Sequence, residues 1–295
     1  MIERGNYCVL HARYLVINNV AYFPLQCALN SKPVMTAILD CLTNNKIQTQ
    51  ENSMTSDAAI IWSVLWNGRM QGNQQVYEHY RAQGKPVICI DVGALVRGQT
   101  WKISINNITA NGYYGHLDNL DYDRPNKLGV QLHPNSNQFN SVLIAAQHQK
   151  SLQLSAISSM EDWINDQITL VKHYCDRPIV VRAHPRSQLQ KQKIQPGITF
   201  QEPVKVPNTY DGFDFGFKYH TVINYNSGVG IQAAIAGCNV IVDQSSLAYP
   251  VSSRVENIEQ PCDVDRTQWL VEIAHTEYLI EEIKQGIWLT RLQLN

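Results

Sequence analysis

Several features that would assign a chain quickly are missing from this one. Seven cysteines occur, none in a CxxC pair. They are scattered, several in apolar strand-like runs where a thiol packs as a small hydrophobe, so neither a zinc ribbon nor a disulfide framework is indicated. Excess charge is also missing: 24 Lys and Arg against 25 Asp and Glu leave a formal −1. The chain as a whole therefore exerts no electrostatic pull on nucleic acid, although a local basic groove is still allowed. No run approaches the ~20 apolar residues that span a bilayer. Residues 1–7 lack the basic start and apolar core of a signal peptide. Repeats and low-complexity tracts are absent as well. These absences lead to the expectation of a reduced, cytoplasmic protein with no membrane span and no structural zinc.

What is present suits a globular α/β protein. Hydrophobic residues make up 44% and charged residues 17%, enough apolar material to bury a core. A length of 295 residues accommodates two domains of roughly 100–200 residues each. Short runs rich in β-branched residues alternate with helical periodicity, the rhythm of crossover connections and parallel sheets. In a first series, strands over 14–18, 58–63 and 86–91 enclose helices over 33–42 and 73–83. Residues 101–106 alternate like a half-exposed strand, and 107–137 is a polar, turn-rich linker. A second series has strands over 141–146, 178–182, 198–200, 221–224 and 239–243. Its helices run over 160–174, capped by Ser158 or Ser159, and 230–236, with one or two closing helices between 267 and 292. The expected fold is α/β: two Rossmann-like lobes facing a central cleft, the first over 1–137 including the linker and the second over 138–295 including the closing helices. Open sheets bind ligands beyond the carboxyl ends of their strands.

The strongest local signal is Tyr225-Asn-Ser-Gly-Val-Gly-Ile-Gln-Ala-Ala-Ile-Ala-Gly237, which lies between two strand-like runs. A strand feeding a glycine-containing turn and a helix offers backbone amides and a helix dipole to a phosphate. Asn226 and Ser227 can add side-chain donors there. The competing reading is a tight turn made by Gly228 and Gly230, with Ser227 as N-cap. Gly237 fits the left-handed residue that ends the helix. The second signal is Val180-Val-Arg-Ala-His-Pro-Arg186. Proline keeps His184 extended at a strand end, and Arg182 and Arg186 offer guanidinium forks for phosphate oxygens. Taken singly, those arginines equally suit a surface role.

Together and in this order, the two elements resemble the C-terminal lobe of capsular-polysaccharide and Kdo-type glycosyltransferases of the GT-B fold. They are also similar to phage-encoded glycosyltransferases proposed to decorate hydroxymethylated pyrimidines in DNA. The resemblance covers about 141–250. It implies nucleotide and phosphate binding for Arg182, His184, Ser227 and Gly228, with Gln232 nearby. One departure is Ala183, where the capsule enzymes typically carry a basic residue before His-Pro.

Glycosyl transfer needs a base for the acceptor hydroxyl and stabilisation of the departing diphosphate. Asp91, at the carboxyl end of 86–91, is the candidate base; the alternative is that it orders the following turn. Asp57, at the opposite strand end, is read as structural. Asp121-Tyr-Asp123 and Asp263-Val-Asp265 have DxD spacing, but both suit caps better than metal sites. No tightly bound cofactor or metal is expected, and a UDP-sugar is favoured over a CMP-sugar as donor. Trp66, Arg69, Arg97 and Trp101 are the candidate acceptor contacts, since aromatic faces stack on sugars or bases; core packing is the competing reading for the tryptophans. The leading functional expectation is transfer of a sugar from a nucleotide donor to the hydroxymethyl group of a pyrimidine in double-stranded phage DNA, in the host cytoplasm. A capsular or other glycan acceptor is the nearest alternative. A non-catalytic sugar-nucleotide-binding module is the alternative of another class.

Overall fold

A computed structural model of the chain describes residues 16–135, 138–154, 156–207, 212–214, 216–261 and 263–294. Several sequence readings lie outside the described residues: 1–7, the start of the expected first strand at Tyr14 and Leu15, Cys8, Cys262, and the end of the expected linker at Ser136 and Asn137.

The first strand, β1 (Asn19–Tyr22), begins later than expected. The backbone amides of Asn18 and Asn19 donate to the Asp57 carboxylate at 2.9 and 3.1 Å instead of to a strand ladder. Asp57 is thus the structural residue its position suggested. Next come α1 (Lys32–Asn44), β2 (Gln48–Glu51), β3 (Ala58–Trp62), α2 (Asn73–Ala82), β4 (Val87–Val92) and β5 (Thr100–Ile105). Helix α1 has proline in its first turn, where no amide partner is lost, and buries Val34, Ala37, Ile38, Cys41 and Leu42 on one face. Every residue of β3 is buried, as a central parallel strand requires.

The chain continues through α3 (Arg124–Lys127), β6 (Val142–Ala145), α4 (Met160–Tyr174), β7 (Ile179–Arg182), β8 (Thr199–Gln201), β9 (Val204–Lys205) and β10 (Phe213–Asp214). It then forms β11 (Thr221–Asn224), α5 (Gly228–Ile235), β12 (Asn239–Val242) and α6 (Thr267–Ala274). Ser159, not Ser158, caps α4, its side chain accepting the Asp162 amide at 3.0 Å. The last elements are β13 (Glu277–Leu279), α7 (Ile280–Lys284) and α8 (Ile287–Leu292).

Two compact units result. Among the described residues, one holds those up to Gly93, Gly98–Leu120 and those from His275 onward; the other holds Ala94–Arg97 and those from Asp121 to Ala274. This differs from a single division after residue 137 because β13 pairs with β5, and α7 packs on α1, drawing the C-terminal segment into the first unit. The first sheet runs β13-β5-β4-β3-β1-β2, parallel from β2 to β4 and antiparallel at β5 and β13. Strand β5 is buried at all six residues, against the expected half-exposure. With β4 and β13 on its two edges it is an interior strand, and Ile103 and Ile105 join the core with Trp62, Trp288 and Leu292. The second unit has a five-stranded sheet, β8-β7-β6-β11-β12, parallel throughout. Its core combines Val142, Ile144, Val181 and Ile223 of that sheet with Ile164, Ile168 and Val171 of α4.

Candidate functional site

In chain order, the five strands of the second sheet stand third, second, first, fourth, fifth. The order reverses between β6 and β11, and ligands of open parallel sheets bind at the carboxyl ends of the strands flanking such a reversal. Polar residues converge at those ends. Asn224, the last residue of β11, donates its Nδ2 to the Ala145 carbonyl at 3.0 Å. Its Oδ1 accepts the Ser227 amide at 2.9 Å and the Ser227 hydroxyl at 3.0 Å. One buried asparagine thereby ties β11 to β6 and shapes the turn into α5.

Gln147, two residues beyond β6, reads Asn226 twice: its Nε2 donates to Asn226 Oδ1 at 2.8 Å, and its Oε1 accepts the Asn226 amide at 3.3 Å. The same Nε2 donates to Gln153 at 2.7 Å. Asn226 Nδ2 donates to Ser245 Oγ at 2.8 Å, and Ser245 donates in turn to Asp243 at 2.5 Å. The side chain of Asn226 is therefore committed to the protein, and its part is to hold the turn rigid. Ser227 is likewise engaged: besides donating to Asn224, its Oγ accepts the Val229 amide at 3.4 Å as the N-cap of α5. What this turn presents is chiefly backbone and the dipole of α5.

Gly228 and Gln232 hold a neighbouring segment. A Cβ on Gly228 would lie 3.0 Å from the Ala94 Cβ, and Gln232 Nε2 donates to the Ala94 carbonyl at 3.0 Å. Residues 94–97 accordingly belong to the second unit. Arg97, expected among acceptor contacts, lies in the second unit, where its charge helps depress the His184 pKa. Gly237 takes the left-handed conformation expected at the helix end, with φ +89°.

His184 follows β7 and packs edge to face on His148, which follows β6; the ring centroids are 5.3 Å apart. His184 Nδ1 accepts the Arg186 amide at 3.1 Å, and His148 Nδ1 accepts the Lys150 amide at 3.2 Å. Burial first, then His148, Arg186 and Arg97, push the His184 pKa down to about 3. Burial, Lys150 and Arg186 also lower that of His148. Both rings are neutral at pH 7. Arg182, in contrast, is buried, and its Nε and Nη2 donate to Gln201 Oε1 at 3.2 and 2.7 Å, with Nη2 also 3.2 Å from the Tyr219 hydroxyl. Its guanidinium faces β8, which leaves exposed Arg186 as the arginine of the pair at the surface.

The candidates Trp66, Arg69, Asp91 and Trp101 lie in the first unit. Trp101 is not an available stacking surface: it is buried against Trp62, ring centroids 5.7 Å apart, because β5 is an interior strand. Trp66 is half-buried beside Tyr77, at 5.8 Å, and Arg69 is exposed. Asp91 accepts the Ser63 hydroxyl at 3.1 Å through Oδ2 and the Val92 amide at 2.7 Å through Oδ1. The DxD carboxylates, which lie in the second unit, bond to protein groups, all but Asp263 within six residues in sequence. Asp121 pairs with Lys127 at 2.7 Å, Asp123 accepts from Asn126 at 3.0 Å, Asp263 from Asn135 at 3.1 Å, and Asp265 from the Thr267 amide at 2.8 Å. Among the described residues no group of three or more His, Cys, Asp or Glu side chains is placed to hold a metal ion. Nor is any helix there long and apolar enough to cross a membrane.

Sequence reasoning did not single out Gln147, His148 or Asn224. The first two follow the apolar run of β6, and strand-end position was a signal that could have found them.

Two α/β units, one with a parallel sheet of this strand order, match the GT-B class of fold. Among solved structures, the chain is similar to a beta Kdo 2,7 transferase, KpsC, of Thermosulfurimonas dismutans, with TM-score 0.51, 13% identity, and coverage of 94% of this chain and 99% of that one. It is also similar to the beta Kdo 2,4 transferase KpsC of the same organism, with TM-score 0.50, 10% identity, and coverage of 92% and 98%. No protein-family model matches the chain, and no curated protein matches it by sequence.

Proposed function

We propose that this protein is a nucleotide-sugar-dependent glycosyltransferase that binds its donor in the second unit, at the carboxyl ends of β6 and β11, and acts on a glycan. The observation that carries the reading is the Gln147–Asn226–Ser245 network, which fixes the turn before α5 at the sheet's reversal point. The N-terminus of α5, with Arg186 and Arg97, supplies positive potential for a diphosphate. Similarity of fold to two Kdo transferases supports a glycan acceptor over DNA, and the formal charge of −1 agrees. Asp91 is the proposed base for the acceptor hydroxyl; the hydrogen bonds from Ser63 and Val92 orient the carboxylate and equally suit a turn anchor.

The test is product mass spectrometry after incubating the protein with UDP- and CMP-sugars, in EDTA and with added Mg²⁺, against capsule-type oligosaccharides and hydroxymethylpyrimidine DNA. A sugar-sized mass gain on an oligosaccharide, retained in EDTA, is expected. Gain on DNA alone would reverse the acceptor assignment, and absence of both transfer and donor hydrolysis would contradict a transferase.

A further inference from the structure

The two histidines at the ends of β6 and β7 share more than proximity. In each, Nδ1 accepts the backbone amide two residues onward, Lys150 for His148 and Arg186 for His184. An imidazole whose Nδ1 is an acceptor carries its proton on Nε2 when neutral, so both rings are fixed as Nε2–H donors. That tautomer is poorly suited to metal ligation, which would need the lone pair on Nε2 and hence a proton on Nδ1, where an amide already points. Among the described residues neither Nε2 has a partner in the chain. Lys150, Arg186 and Arg97 all act on this pair electrostatically and lower its basicity. The result is a pair of uncharged donors in a positive field.

We infer that His148 joins His184 as a two-imidazole donor for a phosphate of the nucleotide, so that His148 is a donor-binding residue of this site. The inference rests on the donor-site reading above. A phosphate suits the pair because it offers several anionic oxygens to two donors approaching edge to face, and hydrogen bonds to ionised acceptors are the stronger kind. The rings stay neutral, so their contribution is directional hydrogen bonding, while Arg186, Arg97 and Lys150 provide the charge. Departure of a diphosphate then requires no proton from either histidine.

Calorimetry on the full chain at pH 7.5 with UDP, CMP, uridine and cytidine tests this. The wild type should bind UDP or CMP more tightly than the matching nucleoside. His148→Phe keeps a ring against His184 but removes the donor, and should narrow that preference by about tenfold. His148→Gln retains an Nε2 donor at nearly the same reach and should hold the preference within about threefold. Nucleotide binding with the preference unchanged in His148→Phe would overturn the histidine inference alone, whereas no nucleotide binding by the wild type would overturn the donor site itself. Folding of the variants is bypassed by ¹⁵N-histidine spectra of the wild type. Both rings should show the Nε2–H tautomer and both should shift on adding UDP; a shift confined to His184 would contradict the pairing.

Discussion

His184 shows how burial and neighbouring charges tune a side chain. Its ring is held neutral mainly by burial, with His148, Arg186 and Arg97 adding to the effect. The folded-state pKa lies below the unfolded one, so the unfolded chain binds more protons in acid. The stabilisation is complete above about pH 6.5 and is lost as pH falls from there toward 3. The lowered pKa of His148 acts in the same direction. Denaturant midpoints should therefore decline between pH 7 and pH 4, and His184→Gln should flatten that decline; an unchanged slope would contradict the placement of the ring. Asp91 calls for a different comparison. Asp91→Asn should lower kcat by about 10²-fold or more, the scale of general-base catalysis, with donor affinity unchanged. A fall in thermal midpoint with kcat intact would assign Asp91 to the turn with Ser63 and Val92.

At the scale of elements, α4 is the cleanest unit. Ser159→Ala removes its side-chain cap and should lower stability by about 1 kcal/mol, read from denaturant unfolding, without altering donor binding. Gly237→Ala should cost more, because the position combines φ +89° with a Cβ that would run into the Pro134 carbonyl oxygen. Elements that could be read from the sequence were those whose residues carry their own periodicity or caps: α4 with Ile164, Ile168 and Val171, β3, β11, and α5 with Gly237 behind it. Others were hidden for physical reasons. Strand β2, Gln48-Thr-Gln-Glu51, is exposed throughout and is defined by backbone pairing to β1, so no apolar pattern marks it. Strand β13 lies in an apolar helical stretch, and only pairing with β5 makes it a strand. Of the candidate site, the turn and His184 could be picked out in the sequence. The site's support could not, because Gln147 and Asn226 lie 79 positions apart in the chain and no spacing rule joins them.

The whole molecule is near electrical neutrality, and this bears on the acceptor. A protein that neutralises several phosphates shows binding that falls steeply with salt. For this chain, retention on duplex DNA carrying hydroxymethylated pyrimidines should be negligible at physiological salt; a steep log–log salt slope would instead reveal a basic groove and restore DNA as a candidate. The strand order of the second sheet, rather than any one side chain, makes the strongest demand on where a donor binds. Amide hydrogen exchange on the full chain, with and without a saturating UDP- or CMP-sugar, examines that demand directly. The account predicts slowed exchange in the segments ending β6 and β11, at residues 146–149 and 225–230, with the amino ends of those strands unaffected. Protection confined to the first unit, or none at saturation, would contradict it.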